Sequence, residues 1–188
     1  TLVVGGLRGN SLALIATEVG GNLFPTLSRL TSVSTTLTGS DSNDEFMLVC
    51  GNSTNSSRIK AVRYNTNTHA WDWAKEYVVF SPQRFKEPLI AYNIDASSGN
   101  RNGFFMAADE FNSSGTLRPV VFRVRNNGNM VWNKVLEAGT ELRGMYHTAS
   151  RCEVLTTALP LSTGQDEYKK YSLDQGSGAV IGSSSFTA

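Results

Sequence analysis

Short apolar segments alternate with clusters of Gly, Asn, Asp and Ser along the whole chain. No long stretch repeats apolar residues at the spacing of an amphipathic helix with a capping residue at its start. Short apolar runs bounded by turn residues are typical of β-strands. The pattern therefore predicts an all-β protein.

One unit of strands recurs, and its clearest copy lies in the second half of the chain. Its apolar segments at 104–108, 120–124 and 130–136 are joined by a polar loop and then by a turn. The turn contains Asn127 and Gly128. An Asn-Gly pair adopts positive φ at low cost, so the last two segments are predicted to form a hairpin.

An earlier copy has the same order of segments, at 46–51, 61–64 and 70–77. In both copies a Trp-x-Lys sequence lies on the strand that follows the turn. We interpret the four residues of these two sequences as structural anchors of the repeat: Trp73, Lys75, Trp132 and Lys134.

Weaker copies of the unit begin and end the chain, with Pro25 and Ile181 in place of the tryptophan. A further strand candidate precedes three of the units, so that each repeat becomes a meander of four short strands. We expect one β-propeller-like domain over 1–188, with repeats at about 1–29, 30–77, 88–136 and 142–186.

A four-stranded meander cannot cover both of its own faces, so successive copies must stack face to face. They can do so around an axis or in a line. The sequence therefore predicts a β-propeller, or a propeller-like array, of about four antiparallel repeats, and Trp73 and Trp132 are expected to pack between repeats. A β-sandwich is the alternative, because short strands at regular spacing also suggest one.

The run from Val121 to Lys134, VFRVRNNGNMVWNK, resembles the repeat of extracellular β-propellers, in which an Asx/Gly turn precedes a Trp-x-Lys strand. The apolar-Gly runs at 49–51 and 4–6 are similar to the end of that repeat. The resemblance implies propeller blades in a secreted, often surface-attached protein. It implies no chemistry, because such blades host unrelated functions.

Charge and hydropathy exclude two classes of partner. The 188 residues carry a formal net charge of +1, so no global field attracts nucleic acid. No apolar run approaches the roughly 18 residues that a membrane-spanning helix requires. We expect neither nucleic-acid binding nor direct membrane insertion.

Three glycosylation acceptor sequences favour an extracellular or cell-surface location, at Asn52, Asn55 and Asn112. The two cysteines, Cys50 and Cys152, allow two interpretations. They form a disulfide in an oxidising compartment, or each is a small buried apolar residue.

Candidate sites for chemistry are few. Oxygen ligands at Asp41, Asn43 and Glu45 are of the type that Ca²⁺ prefers, but the EF-hand pattern is absent and we expect a solvated turn without metal. The two histidines, His69 and His147, lie in different repeats and lack the motifs of a Ser-His-Asp or zinc site.

Two groups of charged residues complete the candidates. Carboxylates near strand ends could catalyse glycoside hydrolysis if two of them were correctly separated; these are Asp109, Glu110, Glu137 and Glu141. Arg118, Arg123 and Arg125 are expected to form a solvated face.

Together these observations predict a non-catalytic extracellular structural or interaction module without a cofactor. It would present loops and strand edges to protein subunits, either copies of itself or other surface proteins, as a building block of a cell-surface or filamentous assembly. The alternative is a carbohydrate-active propeller, a lectin or a glycosidase, in which a tryptophan such as Trp71 stacks on a sugar ring and glycans are the partners.

Overall fold

The computed structural model of the protein describes residues 2–8, 11–18, 27–35, 46–53, 58–65, 70–78, 84–93, 103–125, 127–148, 150–159 and 165–188. Every regular element among these residues is a β-strand, so the predicted all-β class is confirmed for them. The strands are β1 (Leu2–Arg8), β2 (Ser11–Glu18), β3 (Leu27–Thr35), β4 (Phe46–Ser53), β5 (Arg58–Asn65), β6 (Ala70–Val78), β7 (Arg84–Asn93), β8 (Gly103–Phe111), β9 (Leu117–Val124), β10 (Met130–Val135), β11 (Thr140–His147), β12 (Arg151–Ala158), β13 (Glu167–Asp174) and β14 (Val180–Thr187).

The strands form antiparallel sheets in which each strand pairs with its neighbour in sequence. Strands β3 to β6, β7 to β10 and β11 to β14 make three four-stranded meanders, and β1 pairs with β2. We call the three meanders the first, central and last sheets. The apolar segments noted in the sequence become strands because turn residues bound them and β-branched or aromatic residues fill them.

A first core joins the first sheet to the central sheet. It contains buried apolar residues of β5 and β6 and alternate residues of β8 and β9: Ile59, Ala61, Tyr77, Phe104, Met106, Ala108, Val120, Phe122 and Val124. A second core joins the central sheet to the last sheet. It contains Phe105, Ala107, Val121, Leu136, Leu142, Cys152, Val154, Tyr171 and Leu173.

The central sheet is therefore covered on both faces. Successive residues of β8 point to opposite faces, so Phe104 belongs to the first core and Phe105 to the second. Strand β8 is buried from Gly103 through Glu110. This explains why its sequence is a continuous apolar run rather than an apolar–polar alternation.

The last two strands of each four-stranded sheet share one irregularity. Arg63 pairs with Trp73 next to a β-bulge in the first sheet, and Arg123 pairs with Trp132 next to a bulge in the central sheet. An extra residue in one strand twists the hairpin and redirects the side chains beside it. The same device at the same place in two sheets gives both tryptophans the same setting.

In the last sheet the corresponding bulge changes the alignment with the other repeats. Ser172 pairs with Gly182, and Leu173 pairs with Val180, so Ile181 is the extra residue. The register therefore places Gly182, rather than Ile181, at the position of the tryptophans.

Candidate functional site

The turn between β9 and β10 contacts the Trp-x-Lys strand of the first sheet. Gly128 has φ of 79°, and a Cβ built on it would lie 2.7 Å from Cγ of Lys75 and 3.1 Å from the ring of Trp73. The Tyr77 hydroxyl donates a hydrogen bond of 2.8 Å to the carbonyl oxygen of Gly128. Only glycine combines this backbone conformation with so close an approach.

The turn between β13 and β14 makes the same contact with the central sheet. Gly178 has φ of 71°, and a Cβ there would lie 2.7 Å from ring carbons of Trp132. The indole Nε1 of Trp132 donates to the carbonyl oxygen of Gln175 at 3.1 Å, and Nη1 of Arg123 donates to the same oxygen at 2.8 Å. Each turn thus lies against the tryptophan of the preceding sheet.

The two indole rings also pack on the central strand β8. Trp73 stacks on Phe104 with ring centroids 5.9 Å apart, and Trp132 lies 5.8 Å from Phe105 at an interplanar angle of 46°. Both tryptophans are part-buried, whereas Lys75 is exposed and Lys134 is partly exposed. Strand β6 includes Trp71, but the position of its side chain lies outside the described structure.

The turns themselves are held by side-chain caps. Asp174 accepts hydrogen bonds from the backbone N–H of Ser177 at 2.8 Å and from its hydroxyl at 2.7 Å. These bonds favour the ionised carboxylate and lower the pKa of Asp174. The cap stabilises the turn in which Gln175 and Gly178 contact the indole of Trp132.

Asp109 and Glu110 lie near the end of β8, where Asp109 accepts a backbone hydrogen bond and Glu110 forms a salt bridge. Oδ1 of Asp109 accepts a hydrogen bond of 2.9 Å from the backbone N–H of Leu142, which connects the central and last sheets. Glu110 is 1% exposed, and its Oε1 lies 2.6 Å from both Nε and Nη2 of Arg118. Burial raises the pKa of Glu110, and the hydrogen bond and charge of Arg118 oppose that rise.

Glu137 and Glu141 occupy more exposed sites. Oε2 of Glu137 accepts hydrogen bonds from Nζ of Lys169 at 2.6 Å and from the Tyr171 hydroxyl at 3.0 Å. Both bonds lower the pKa of Glu137, that of Lys169 more strongly. Glu141 pairs with Arg143 at 2.9 Å. Each of the four carboxylates considered for hydrolysis therefore has its own protein partner.

The prediction that three arginines form a solvated face is wrong for two of them. Arg118 pairs with the buried Glu110, and Arg123 donates to the carbonyl of Gln175, whereas Arg125 is exposed. Sequence alternation predicts one strand face for Arg123 and Arg125, but β9 ends at Val124, and alternation carries no information about long-range partners such as Gln175.

Cys152 is a free thiol in this structure and is fully buried in the second core. The disulfide that was one of the two interpretations is not formed, and Cys152 acts as a small apolar residue. Burial, with a smaller contribution from the charge of Glu153, raises the pKa of the Cys152 thiol to about 12. Cys50 belongs to β4 of the first sheet, and the position of its side chain is outside the described structure.

Asn112 is the acceptor residue for which the structure gives the side-chain geometry. It lies in the turn between β8 and β9, where its Oδ1 accepts from the backbone N–H and hydroxyl of Ser114 at 3.0 and 2.7 Å, and from the N–H of Thr116 at 2.8 Å. Ser114 is exposed and Asn112 is partly exposed. Asn52 is the penultimate residue of β4, which ends at Ser53, whereas Asn55 lies outside the described residues.

The remaining candidates divide in the same way. His147 is part-buried with its ring 6.4 Å from that of Phe105, and burial lowers its pKa. His69 and the acidic loop with Asp41 and Glu45 lie outside the described residues. In the part of the chain that the structure does describe, no group of three or more His, Cys, Asp or Glu is arranged to hold a metal, and no helix could cross a membrane.

Sequence reasoning missed one polar cluster, which lies in the last sheet. Glu153 is 5% exposed and accepts a hydrogen bond of 2.7 Å from the Ser172 hydroxyl, while Nζ of Lys170 lies 3.8 Å from the same carboxylate oxygen. The apolar–polar alternation of β12 was the available signal. It marks Glu153 as belonging to the face opposite the second core.

No protein-family model matches the sequence. No curated protein matches it significantly.

Proposed function

We propose that this chain is a non-catalytic extracellular structural or interaction module built as a β-propeller-like array. One observation carries the proposal: two successive sheet-to-sheet interfaces are made in the same way. In each, a glycine turn lies on the tryptophan of the preceding sheet, through Gly128 on Trp73 and through Gly178 on Trp132. A repeated interface is the basis of propellers and of other stacked repeats.

The propeller arrangement accounts for the order of the sheets. Each sheet is a simple meander, and the chain passes from one meander to the next in sequence order. Sheets that are covered on both faces by sequence neighbours, as the central sheet is, correspond to inner members of such an array. The right-handed twist of each sheet turns such a stack about an axis.

The charged groups support a structural role. Glu110, Glu137 and Glu141 pair with Arg118, Lys169 and Arg143 respectively. Asp109 receives the backbone N–H of Leu142. The contacts of Asp109, Glu110 and Glu137 join different strands or sheets, and all four carboxylates considered for glycoside hydrolysis are engaged by protein partners.

The loop at Asn112 supports the extracellular assignment. Its Asx turn presents a partly exposed acceptor asparagine at the tip of the β8–β9 hairpin, with Ser114 as the required hydroxyl residue. Such acceptor sequences are glycosylated on exposed loops of secreted proteins.

The proposal is tested by secreting the chain from a eukaryotic host. Peptide mapping should find a glycan on Asn112, and an Asn112→Gln variant should lose that mass. Absence of the glycan in the secreted wild-type protein would contradict the extracellular assignment.

The same protein is then assayed for turnover of generic glycosides. We expect no turnover. Specific turnover that disappears in a Glu137→Gln variant but persists in Glu141→Gln would replace the proposal with the carbohydrate-active alternative.

A further inference from the structure

The outermost strand of the last sheet is exposed along its whole length. All eight residues of β14, Val180–Thr187, are exposed, and β14 pairs only with β13 in that sheet. One side of the strand therefore presents backbone N–H and C=O groups that the described sheet does not use. Such an edge is a template on which another strand can pair.

Charged residues and proline usually protect sheet edges from such pairing. The other described edge strands of the four-stranded sheets carry such residues: Arg29 in β3, Asp72, Lys75 and Glu76 in β6, Arg84, Lys86, Glu87 and Pro88 in β7, Lys134 in β10, and Glu141 and Arg143 in β11. Among these six edges, β14 alone has neither a charged residue nor proline. This edge lacks the usual protection against association.

Strand β14 also has an open position and an exposed aromatic residue on one face. Gly182 lies where the preceding sheets carry tryptophan, and a Cβ built there would meet only atoms of Ser172, at 3.9 and 4.0 Å. Phe186 is 48% exposed and stacks on Tyr168 with ring centroids 5.4 Å apart. Gly182, Ser184 and Phe186 share this face, because alternate residues of a strand do.

A two-fold axis perpendicular to the sheet pairs this strand with its own copy. In an antiparallel pair of that symmetry, a residue faces its equivalent at the axis, and its neighbours face each other on the same side of the sheet. With Ser184 at the axis, Gly182 of one copy faces Phe186 of the other, and the reverse pair forms as well. An aromatic ring across from an edge glycine covers the exposed backbone.

We propose that two copies of this chain associate through β14, so that their last sheets join into one continuous antiparallel sheet. The inference rests on the proposed function, in which the module presents strand edges to protein partners, and it names the partner as a second copy. Pairing with a second copy is favoured over pairing with a strand of another protein, because in the antiparallel dimer each copy supplies the phenylalanine that faces the glycine of the other. No charged residue of one β14 opposes another.

The test is light scattering with size-exclusion chromatography on the unglycosylated 188-residue chain, at concentrations up to about 1 mM, which still reports weak association. The wild-type chain should dimerise as concentration rises. Ser184→Lys places two ammonium groups across the axis, beside the existing Lys170 of each copy, and should abolish the dimer. Ser113→Lys adds the same charge in the exposed β8–β9 turn and should leave the dimer intact.

A second variant keeps the charge unchanged. Phe186→Ala removes both aromatic–glycine pairs and should raise the dissociation constant of the dimer roughly two- to thirtyfold, which is the combined contribution of two cross-strand pairs. Circular dichroism of each variant at low concentration confirms that the monomer is folded, since Ser184 and Phe186 are exposed in it.

A cysteine substitution tests the register. Cα atoms that face each other across an antiparallel pair lie about 4.5–5.5 Å apart, within the reach of a disulfide. Mild oxidation of a Ser184→Cys variant should give a dimer linked through position 184, identified by peptide mapping. A Ser113→Cys variant should give no disulfide-linked dimer under the same conditions.

A wild-type chain that stays monomeric, or a dimer that Ser184→Lys leaves unchanged, would overturn the inference. Binding of β14 only to a strand of a different protein would overturn it equally. These failures are distinct from failure of the proposed function: a monomer glycosylated at Asn112 and inactive toward glycosides removes self-pairing alone. Turnover of glycosides would remove the proposed function whatever the oligomeric state.

Discussion

The central and last sheets have the same topology but opposite relations to their surroundings. In the central sheet, Phe104 and Phe105 are adjacent in sequence and fully buried in two different cores. In the last sheet, Cys152 and Val154 enter the second core, while Glu153 between them belongs to a polar cluster. A strand whose successive residues are all apolar therefore indicates a sheet that packs on both faces. A strand whose apolar residues alternate with polar ones indicates a sheet that packs on one face.

The same difference affects the strands that carry the repeat anchors. In the central sheet Trp132 receives the turn of the next sheet, whereas its counterpart in the last sheet is Gly182. The face of the central sheet that packs against the turn of the next sheet thus carries an indole. The equivalent face of the last sheet, against which the described residues place no turn, carries a glycine. A bulge at the corresponding place in the last hairpin of each sheet precedes both Trp132 and Gly182.

The largest effect expected from this comparison is on the cores. Phe105→Ala removes a fully buried ring from the second core and should destabilise the protein by about 3–5 kcal/mol. Tyr146→Ala, at a residue of the last sheet that is 54% exposed, should change the free energy of unfolding by less than about 0.5 kcal/mol. Urea denaturation of both variants measures the difference.

Similar losses for the two variants would contradict the distinction between the two sheets. A large loss for Tyr146→Ala would mean that the far face of the last sheet is covered in solution.

A smaller effect concerns pH and the buried carboxylate at the end of β8. Because burial raises the pKa of Glu110, the folded state binds a proton more tightly than the unfolded state. The contribution of Glu110 to stability is therefore complete below the unfolded carboxyl pKa and is lost as pH rises through the folded pKa. In that window wild type should lose stability relative to Glu110→Gln, by at most about 1.4 kcal/mol for each pH unit.

Urea denaturation of both proteins at several values from acid to neutral pH measures this gap. A gap that is independent of pH would show that Arg118 fully offsets burial at this site, and a gap that changes in favour of wild type as pH rises would show that Arg118 outweighs it.

The strands and the turns were predictable from sequence because their signals are local. Apolar runs such as that at 104–108 lie between turn residues, and Asn127-Gly128 specifies its own turn. The recurrence of Trp73 and Trp132 further indicated that two sheets have equivalent surroundings, and the contacts of Gly128 and Gly178 show such surroundings.

The partners of charged residues and the exact register were not predictable. Arg123 donates to Gln175, 52 residues away, and nothing near Arg123 in sequence indicates that oxygen. The bulge moved the counterpart of tryptophan from Ile181 to Gly182, because a single extra residue shifts every later side chain of a strand. The two interpretations of Cys152 depended on the distance between sheets, which spacing along the chain does not contain.

The most direct test of the repeated turn–tryptophan contact compares two glycines with the same backbone conformation. Gly178 and Gly115 have φ of 71° and 78°, but a Cβ on Gly178 would lie 2.7 Å from the Trp132 ring, whereas a Cβ on Gly115 would meet nothing within 4 Å. Gly115→Ala should cost only the conformational strain, about 1–2 kcal/mol. Gly178→Ala should cost about 1–3 kcal/mol more, because the turn must move off the indole. Equal losses of unfolding free energy for the two variants would contradict the account that these turns join one sheet to the next.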